Sequence, residues 1–118
     1  MRAIDESFVD FVLDQLASLR AVESRRMFGG HGLYLGERFF GITWRARLFF
    51  RTDDRSRPEY EALGMKPFRP STTQRLPLYY EVPAEIIEDS TRLCQWAQTA
   101  AQAERRARTL PRRRKPAR

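Results

Sequence analysis

Residues 25–52 constrain the fold more than any other stretch, because apolar and polar residues alternate there around a short glycine-containing turn. Gly36-Glu37 separates two alternating runs, and glycine at the first position of a two-residue loop is typical of a type II′ turn. That turn pairs Leu33 with Phe40. The stretch therefore predicts two consecutive β-hairpins, which together form a three-stranded antiparallel meander.

The predicted register divides the side chains of the meander between two faces. At the second turn, a two-residue loop would place Arg47 and Arg51 on the apolar face, and burying unpaired guanidinium groups is costly. We therefore predict a three-residue loop, Arg45-Ala46-Arg47, which places Leu48 and Phe50 on that face. The other residues expected on the apolar face are Leu33, Leu35, Phe40, Ile42 and Trp44.

The opposite face of the meander is also partly aromatic. Tyr34, Phe39 and Phe49 are predicted to lie on it, beside Thr43 and Arg51. A sheet face that carries aromatic side chains is usually covered. The cover is either a later segment of this chain or a second subunit, so these three aromatic residues form a candidate interface.

Helical periodicity predicts an amphipathic helix over residues 5–19 and a shorter helix over residues 53–63. Pro58 fits the first turn of the shorter helix, and Gly64 fits its end. Its inward residues are expected to be Tyr60 and Leu63. The apolar stripe of the first helix is expected at Phe8, Val12, Leu16 and Leu19, widened by Phe11 and Leu13.

The second half of the chain adds two strands and a long helix. Residues 65–70 contain two prolines and predict an edge strand or a loop, whereas residues 78–82 alternate as a strand does. Pro83 ends that strand and begins a helical turn, and Asp89 or Ser90 caps the final helix. The order α-β-β-β-α-β-β-α predicts one α+β domain over residues 1–103, with helices packed on one face of an antiparallel sheet. Residues 104–118 form an arginine-rich tail, in which the last helix ends.

Several spaced motifs over about residues 5–103 resemble the TfoX/Sxy N-terminal domain family. The first motif comprises Arg25, Arg26, Met27, Phe28, Gly29, Gly30, Gly32 and Tyr34. The later ones are Gly64 with Pro67-Phe68, then Tyr79 to Pro83, and the closing Leu93 with Trp96-Ala97. The resemblance implies an α-β3-α-β2-α domain of the secretion-chaperone-like type, the same order that the pattern predicts.

The resemblance also implies a class of function. Founding members of that family are regulators of natural competence, which act as co-activators with the cAMP receptor protein at certain promoters. They are not known as enzymes. They carry a second, C-terminal domain that resembles a helix-hairpin-helix module, and in this chain the arginine-rich tail stands in that place.

The net charge of +7 is confined to the tail. Residues 1–103 carry 14 basic and 14 acidic residues, whereas residues 104–118 carry eight basic residues and Glu104. A flexible cationic segment attracts nucleic acid without sequence specificity, because neutralised phosphates release counterions. The residues expected to make this contact are Arg105, Arg106, Arg108, Arg112, Arg113, Arg114, Lys115 and Arg118.

Single residues offer little catalytic chemistry. The glycines around His31 precede a strand rather than a helix, so we interpret them as a tight strand crossing and not as a phosphate-binding loop. His31 itself has no evident nucleophile or orienting partner, and Cys94 lies beside an apolar helix stripe. Arg25 and Arg26 are expected to contact carboxylates of the same domain, such as Glu23 or one on the last helix; phosphate is the alternative. The sequence predicts a non-enzymatic protein with no cofactor and no metal.

Partners and location follow from the same features. The first ten residues include Asp5, Glu6 and Asp10 rather than the basic and then apolar pattern of an export signal, and no apolar run is long enough to span a membrane. We therefore expect a cytoplasmic protein that does not bind membranes. We expect a protein partner, of which a transcription factor is the kind that the resemblance implies. Nonspecific contact with nucleic acid and a homodimer are further expectations. The alternative is a protein-interaction or chaperone-like module with no role at nucleic acid.

Overall fold

The computed structural model describes residues 4–27, 29–71 and 76–109. Within them the elements are α1 (Ile4–Gln15), β1 (Val22–Met27), β2 (Gly30–Leu35), β3 (Arg38–Trp44), β4 (Arg47–Arg51), α2 (Arg57–Ala62), β5 (Pro67–Phe68), β6 (Leu76–Glu81), α3 (Ala84–Ile87) and α4 (Ser90–Thr109). The strands form one antiparallel sheet in the order β1-β2-β3-β4-β6-β5. The predicted α+β class is confirmed, and the structure adds β1 before the three predicted strands of the meander.

The first predicted turn is correct. Leu35 pairs with Arg38 across Gly36-Glu37. Gly36 has a φ of 65°, and Glu37 is not among the residues with positive φ, as a type II′ turn requires. The predicted pairing of Leu33 with Phe40 is wrong, however, because Leu33 pairs with Gly41 while Tyr34 pairs with Phe39.

This difference arises from a β-bulge at Phe40, which has no partner on β2. Phe40 is fully buried among the residues beneath the helices, and a Cβ on Gly41 would touch Phe50 and Leu33 on that same side. Two successive residues therefore face the helices, and the alternation of β3 is reversed beyond them. As a result Ile42 lies on the opposite face, in contrast to the prediction.

The predicted three-residue loop between β3 and β4 is also wrong. Trp44 pairs with Arg47, so the loop contains only Arg45 and Ala46. Both have positive φ, 51° and 61°, which is the conformation of a type I′ turn. The extra residue of the bulge compensates for the loop being one residue shorter than predicted. Leu48 and Phe50 consequently face the helices as predicted, although Trp44 faces away from them and Thr43 towards them.

The larger apolar cluster lies between the sheet and helices α1, α3 and α4. Its largest fully buried members are Phe40, Phe50, Leu16, Leu33, Leu48, Ile86 and Leu93. The predicted stripe of α1 is confirmed at Val12 and Leu16. Phe11 and Leu63 are wrongly predicted to face inward, since they are 41% and 44% exposed. Tyr60 of α2 is buried as expected.

A smaller apolar cluster occupies the other face of the sheet. It consists of Ile42, Phe49, Phe68 and Tyr79, with Phe39, Trp44 and Leu76 packed around them. Phe68 comes from β5, the short edge strand of the proline-containing stretch, and its ring lies 4.7 Å from that of Phe49. A later segment of the same chain thus covers part of this face, which was one of the two predicted covers.

The caps that the sequence predicts around α2 and α4 are present. Pro58 lies in the first turn of α2, and Gly64 follows its end with a φ of 78°. Asp89 Oδ1 accepts a hydrogen bond of 3.2 Å from the main-chain N–H of Arg92, and so caps α4. The same helix continues through residue 103 to Thr109, so the predicted domain boundary falls inside it.

Candidate interaction surfaces

The glycine-rich motif forms the turn from β1 into β2. Met27 pairs with Gly30, and Gly29 has a φ of 77° within the connection; Phe28 lies outside the described residues. A Cβ on Gly30 would overlap the main-chain carbonyl oxygen of Thr43 on the neighbouring strand. A Cβ on Gly32 would meet Met27 Sδ at 2.8 Å. These glycines permit close strand packing, in agreement with the interpretation made from the sequence.

Arg25 and Arg26 contact carboxylates of the same domain, as predicted. The Arg26 guanidinium donates a hydrogen bond of 2.7 Å to Glu6 of α1, and Arg25 lies 4.0 Å from Glu23. Successive residues of a strand point to opposite faces. Arg26 therefore ties β1 to the helix side, whereas Arg25 lies on the outer face of the sheet.

The outer face carries a continuous row of side chains that crosses the sheet. The Arg25 guanidinium lies 4.2 Å from the centre of the Tyr34 ring, and Tyr34 stacks on Phe39 at 5.2 Å. Phe39 is in turn 5.0 Å from Tyr79, over which Arg51 lies at 5.9 Å. We call these five residues the aromatic row. A guanidinium at each end gives the row a cationic rim around an apolar middle.

Tyr79 anchors the row to the backbone. Its hydroxyl donates a hydrogen bond of 2.7 Å to the main-chain carbonyl oxygen of Phe39, the residue before the bulge. Burial raises the pKa of Tyr79 to about 12, although the neighbouring Arg51 opposes this rise. The neutral phenol is therefore the form that the fold retains.

The three predicted interface residues differ in their exposure. Phe49 is only 4% exposed because Phe68 and Tyr79 cover it. Tyr34 and Phe39 are half-buried. Of the three, Tyr34 and Phe39 therefore remain accessible on this face, beside the exposed guanidinium of Arg25.

His31 lies directly opposite Thr43 in the sheet. His31 Nδ1 and Thr43 Oγ1 are both buried, and neither has a hydrogen-bond partner among the described residues. Cys94 is half-buried, its thiol donates to the carbonyl oxygen of Gln15 at 3.6 Å, and burial raises the pKa of that thiol. A raised thiol pKa disfavours the nucleophilic thiolate.

Two acidic residues that precede α2, Asp53 and Asp54, act in a cap and in an ion pair. Asp53 Oδ1 accepts main-chain hydrogen bonds of 3.0 and 2.9 Å from Arg55 and Ser56. Asp54 pairs with Arg57 at 3.1 Å. Asp53, Asp54 and Arg57 line an open cleft of about 230 Å³ beside the last turns of α4. Across the described ranges, no three histidine, cysteine or acidic side chains come together as metal ligands would.

The predicted nucleic-acid contacts begin on the last turns of α4. Arg105 is exposed there, and Arg106 and Arg108 belong to the same helix. Arg112, Arg113, Arg114, Lys115 and Arg118 lie outside the described residues. The helix thus carries the beginning of the tail as a direct continuation of the core, to which Ala101 and Ala103 belong.

Two features of these surfaces escape sequence reasoning. One is β1, whose outer edge has no partner strand among the described residues. The other is the pairing of Arg45 with Trp44, whose ring centre lies 4.6 Å from the guanidinium. This contact depends on the type I′ turn at Arg45-Ala46. The sequence does not indicate that turn, because Arg-Ala is not typical of it.

The comparisons with known proteins agree with the fold. The family model of the TfoX N-terminal domain matches residues 14–104. No curated protein matches the chain. In the described part of the chain, none of the helices combines the length and apolar character needed to cross a membrane.

Proposed function

Because the chain belongs to the TfoX N-terminal domain family, we propose that it is a small, non-enzymatic regulatory or adaptor protein of the cytoplasm. It acts by contact with other macromolecules, and its basic tail contacts nucleic acid. The family match is the observation that carries this proposal. The match runs from residue 14, at the end of α1, to residue 104 within α4, and it includes every strand of the described sheet.

The distribution of charge supports the role of the tail. Eight basic residues follow Ala103, whereas the preceding part of the chain has equal numbers of basic and acidic residues. Body arginines such as Arg26 and Arg57 are moreover engaged by Glu6 and Asp54. The attraction to phosphate is therefore concentrated at one end of the chain.

The family match alone supports a competence-related role, and we propose that this role is transcriptional. In this role the protein contacts a transcription factor or another regulator while the tail keeps the complex near DNA or RNA. The alternative function is a protein-interaction or chaperone-like module with no nucleic-acid role. The half-exposed Tyr34 and Phe39 favour it, because an aromatic patch of this kind suits a protein surface.

The test compares two full-length variants that lose the same charge. In one, Arg112, Arg113 and Arg114 are replaced by glutamine; in the other, the exposed body residues Arg20, Arg55 and Arg92 are replaced. Binding of duplex DNA and of single-stranded RNA is titrated across salt. Each lost phosphate contact reduces the log–log salt slope by about 0.9, so the tail variant should lose roughly 2 to 3 units of slope. The body variant should keep its slope.

Equal losses in the two variants would assign the contact to overall charge rather than to the tail. Failure of the unmodified chain to bind either nucleic acid would contradict the nucleic-acid part of the proposal. In that case the alternative gains support if the same protein partner is recovered with the unmodified chain and with the tail variant.

A further inference from the structure

The two edges of the sheet are unequal. At one edge, β5 has only two residues, and one of them is Pro67, which has no N–H to donate. At the other edge, β1 has six residues, Val22–Met27, of which three are exposed and three are half-buried. An uncovered strand of this length presents a row of main-chain donors and acceptors to another strand.

The sequence of β1 suits pairing with the β1 strand of a second copy of the same chain. A twofold axis perpendicular to the sheet places the two β1 strands antiparallel in one continuous sheet. Directly opposed residues must then lie on the same face. Such pairing can be centred on Glu23, on Ser24 or on Arg25, and each centre opposes different charges.

Charge complementarity selects one of these three registers. Centring on Glu23 opposes two carboxylates, and centring on Arg25 opposes two guanidinium groups. Centring on Ser24 opposes Glu23 of each copy to Arg25 of the other, twice in the dimer. Glu23 and Arg25 already lie 4.0 Å apart within one chain, and their side chains are 67% and 59% exposed. Because both side chains are largely exposed, each can exchange this contact for the same contact with the second copy.

We propose that the chain forms a twofold-symmetric dimer through antiparallel pairing of the two β1 strands, centred on Ser24 and held by reciprocal Glu23–Arg25 ion pairs. The sheet then continues from one copy to the other. The association ends at two copies, because the remaining edges are the β5 strands, which are too short to pair further.

The dimer also joins the two aromatic rows. The perpendicular axis keeps both rows on the same face of the sheet, and Arg25 forms the end of each row beside the β1 edge. The interface therefore extends the half-exposed surface of Tyr34 and Phe39 into the second copy. The sequence leaves a second subunit as one of two possible covers for the outer face, whereas the dimer proposed here forms at the edge of β1.

The test is a charge exchange in the full-length chain, followed by sedimentation equilibrium. Glu23→Arg and Arg25→Glu are each expected to weaken the dimer at least about tenfold, because two attractive pairs become two repulsive ones. The double variant Glu23→Arg/Arg25→Glu should restore the affinity. An equimolar mixture of the two single variants should form a heterodimer with restored affinity, although each variant associates only weakly with itself.

The control is Glu88→Arg, the same change in charge as Glu23→Arg at an exposed residue that follows α3, which should leave the affinity within about twofold. Circular dichroism of each variant checks that the fold is retained. A monomeric unmodified chain would overturn the proposal. So would a dimer that tolerates both single variants, or single-variant losses that neither the double variant nor the mixture restores.

Discussion

Gly30 has no space for a side chain, since a Cβ there would overlap the carbonyl oxygen of Thr43 on the neighbouring strand. The obstacle is main chain and cannot rotate away, so the strands themselves would have to move apart. At Gly36 the backbone conformation, and not a lack of space, favours glycine. A Cβ would meet nothing within 4 Å, and only its φ of 65° is unfavourable for other residues.

We therefore expect Gly30→Ala to lower the free energy of unfolding by roughly 3 kcal/mol, because overpacking against a fixed backbone shifts the sheet. Gly36→Ala should cost only about 1 kcal/mol, which is the backbone penalty without the steric overlap. Urea unfolding of both variants measures the difference. Equal losses would contradict the close contact between β2 and β3.

Tyr79 makes stability depend on alkaline pH. Its pKa rises from 10.0 to about 12 on folding, chiefly through burial. The folded chain thus holds the phenol proton more tightly than the unfolded chain. The resulting stabilisation is complete below pH 10 and is lost as the pH rises through 12; two pKa units amount to roughly 2–3 kcal/mol.

The variant Tyr79→Phe removes this dependence along with the hydrogen bond to Phe39. At pH 8 it should be less stable than the unmodified chain by about 1 kcal/mol, through the lost hydrogen bond. Between pH 10 and 12 its stability should fall less steeply. The difference of about 1 kcal/mol should therefore disappear and then reverse, because the unmodified chain loses roughly 2–3 kcal/mol over that range. Urea unfolding at each pH measures both curves. Parallel curves would show that Tyr79 does not carry the effect.

Among the elements, the turn between β3 and β4 is the least typical for its sequence. Both Arg45 and Ala46 are in the left-handed region, where residues with a Cβ are disfavoured. Arg45 gains a contact with the Trp44 ring in return. The side chain of Ala46 is a single methyl group, so glycine at this position would relieve the unfavourable φ and remove little else.

Ala46→Gly is accordingly expected to raise the free energy of unfolding by roughly 0.5–1 kcal/mol, because glycine adopts positive φ readily. The same replacement in a helix has the opposite sign: Ala107→Gly on the exposed side of α4 should lower stability by up to about 1 kcal/mol. Thermal unfolding of the two variants measures both changes in stability. A loss of stability in Ala46→Gly would contradict the type I′ turn.

The elements also show which parts of the fold the sequence can predict. Gly36-Glu37 identifies its hairpin because glycine is required there, whereas Arg45-Ala46 conceals its turn behind unfavourable residues. The bulge at Phe40 has no local signature, since it depends on how β2 packs against β3. Strand β1 escapes prediction because VESRRM contains three charged residues and only two apolar ones. Pairing with β2, and not an alternation of apolar and polar residues in β1 itself, makes this segment a strand.

The candidate surfaces were predictable to a similar extent. Alternation places Tyr34, Phe39 and Phe49 on the outer face, but the cover on Phe49 comes from Phe68, which is distant in sequence. Contact of Arg25 with Glu23 follows from their proximity along the strand. The partner of Arg26, Glu6, depends on how α1 packs. Long-range packing therefore decides which of the predicted residues remain accessible.

At the scale of the whole molecule, the sheet separates the described part of the chain into two apolar clusters of unequal size. The larger one lies beneath the helices, and the smaller one lies on the face that β5 covers in part. Members of the aromatic row, Phe39 and Tyr79, belong to the smaller cluster. A change in the aromatic row thus acts on a different cluster from a change in α1 or α4.

This division gives each side of the sheet its own fluorescent reporter. The chain has two tryptophans. Trp96 lies 4.7 Å from Tyr60 beside the larger cluster, whereas Trp44 lies 5.5 Å from Phe68 in the smaller one. Replacing either tryptophan by phenylalanine leaves an emission signal from one side alone. Intrinsic fluorescence of the two single-tryptophan proteins can therefore follow the unfolding of the helix side and of the outer face separately, without any attached dye.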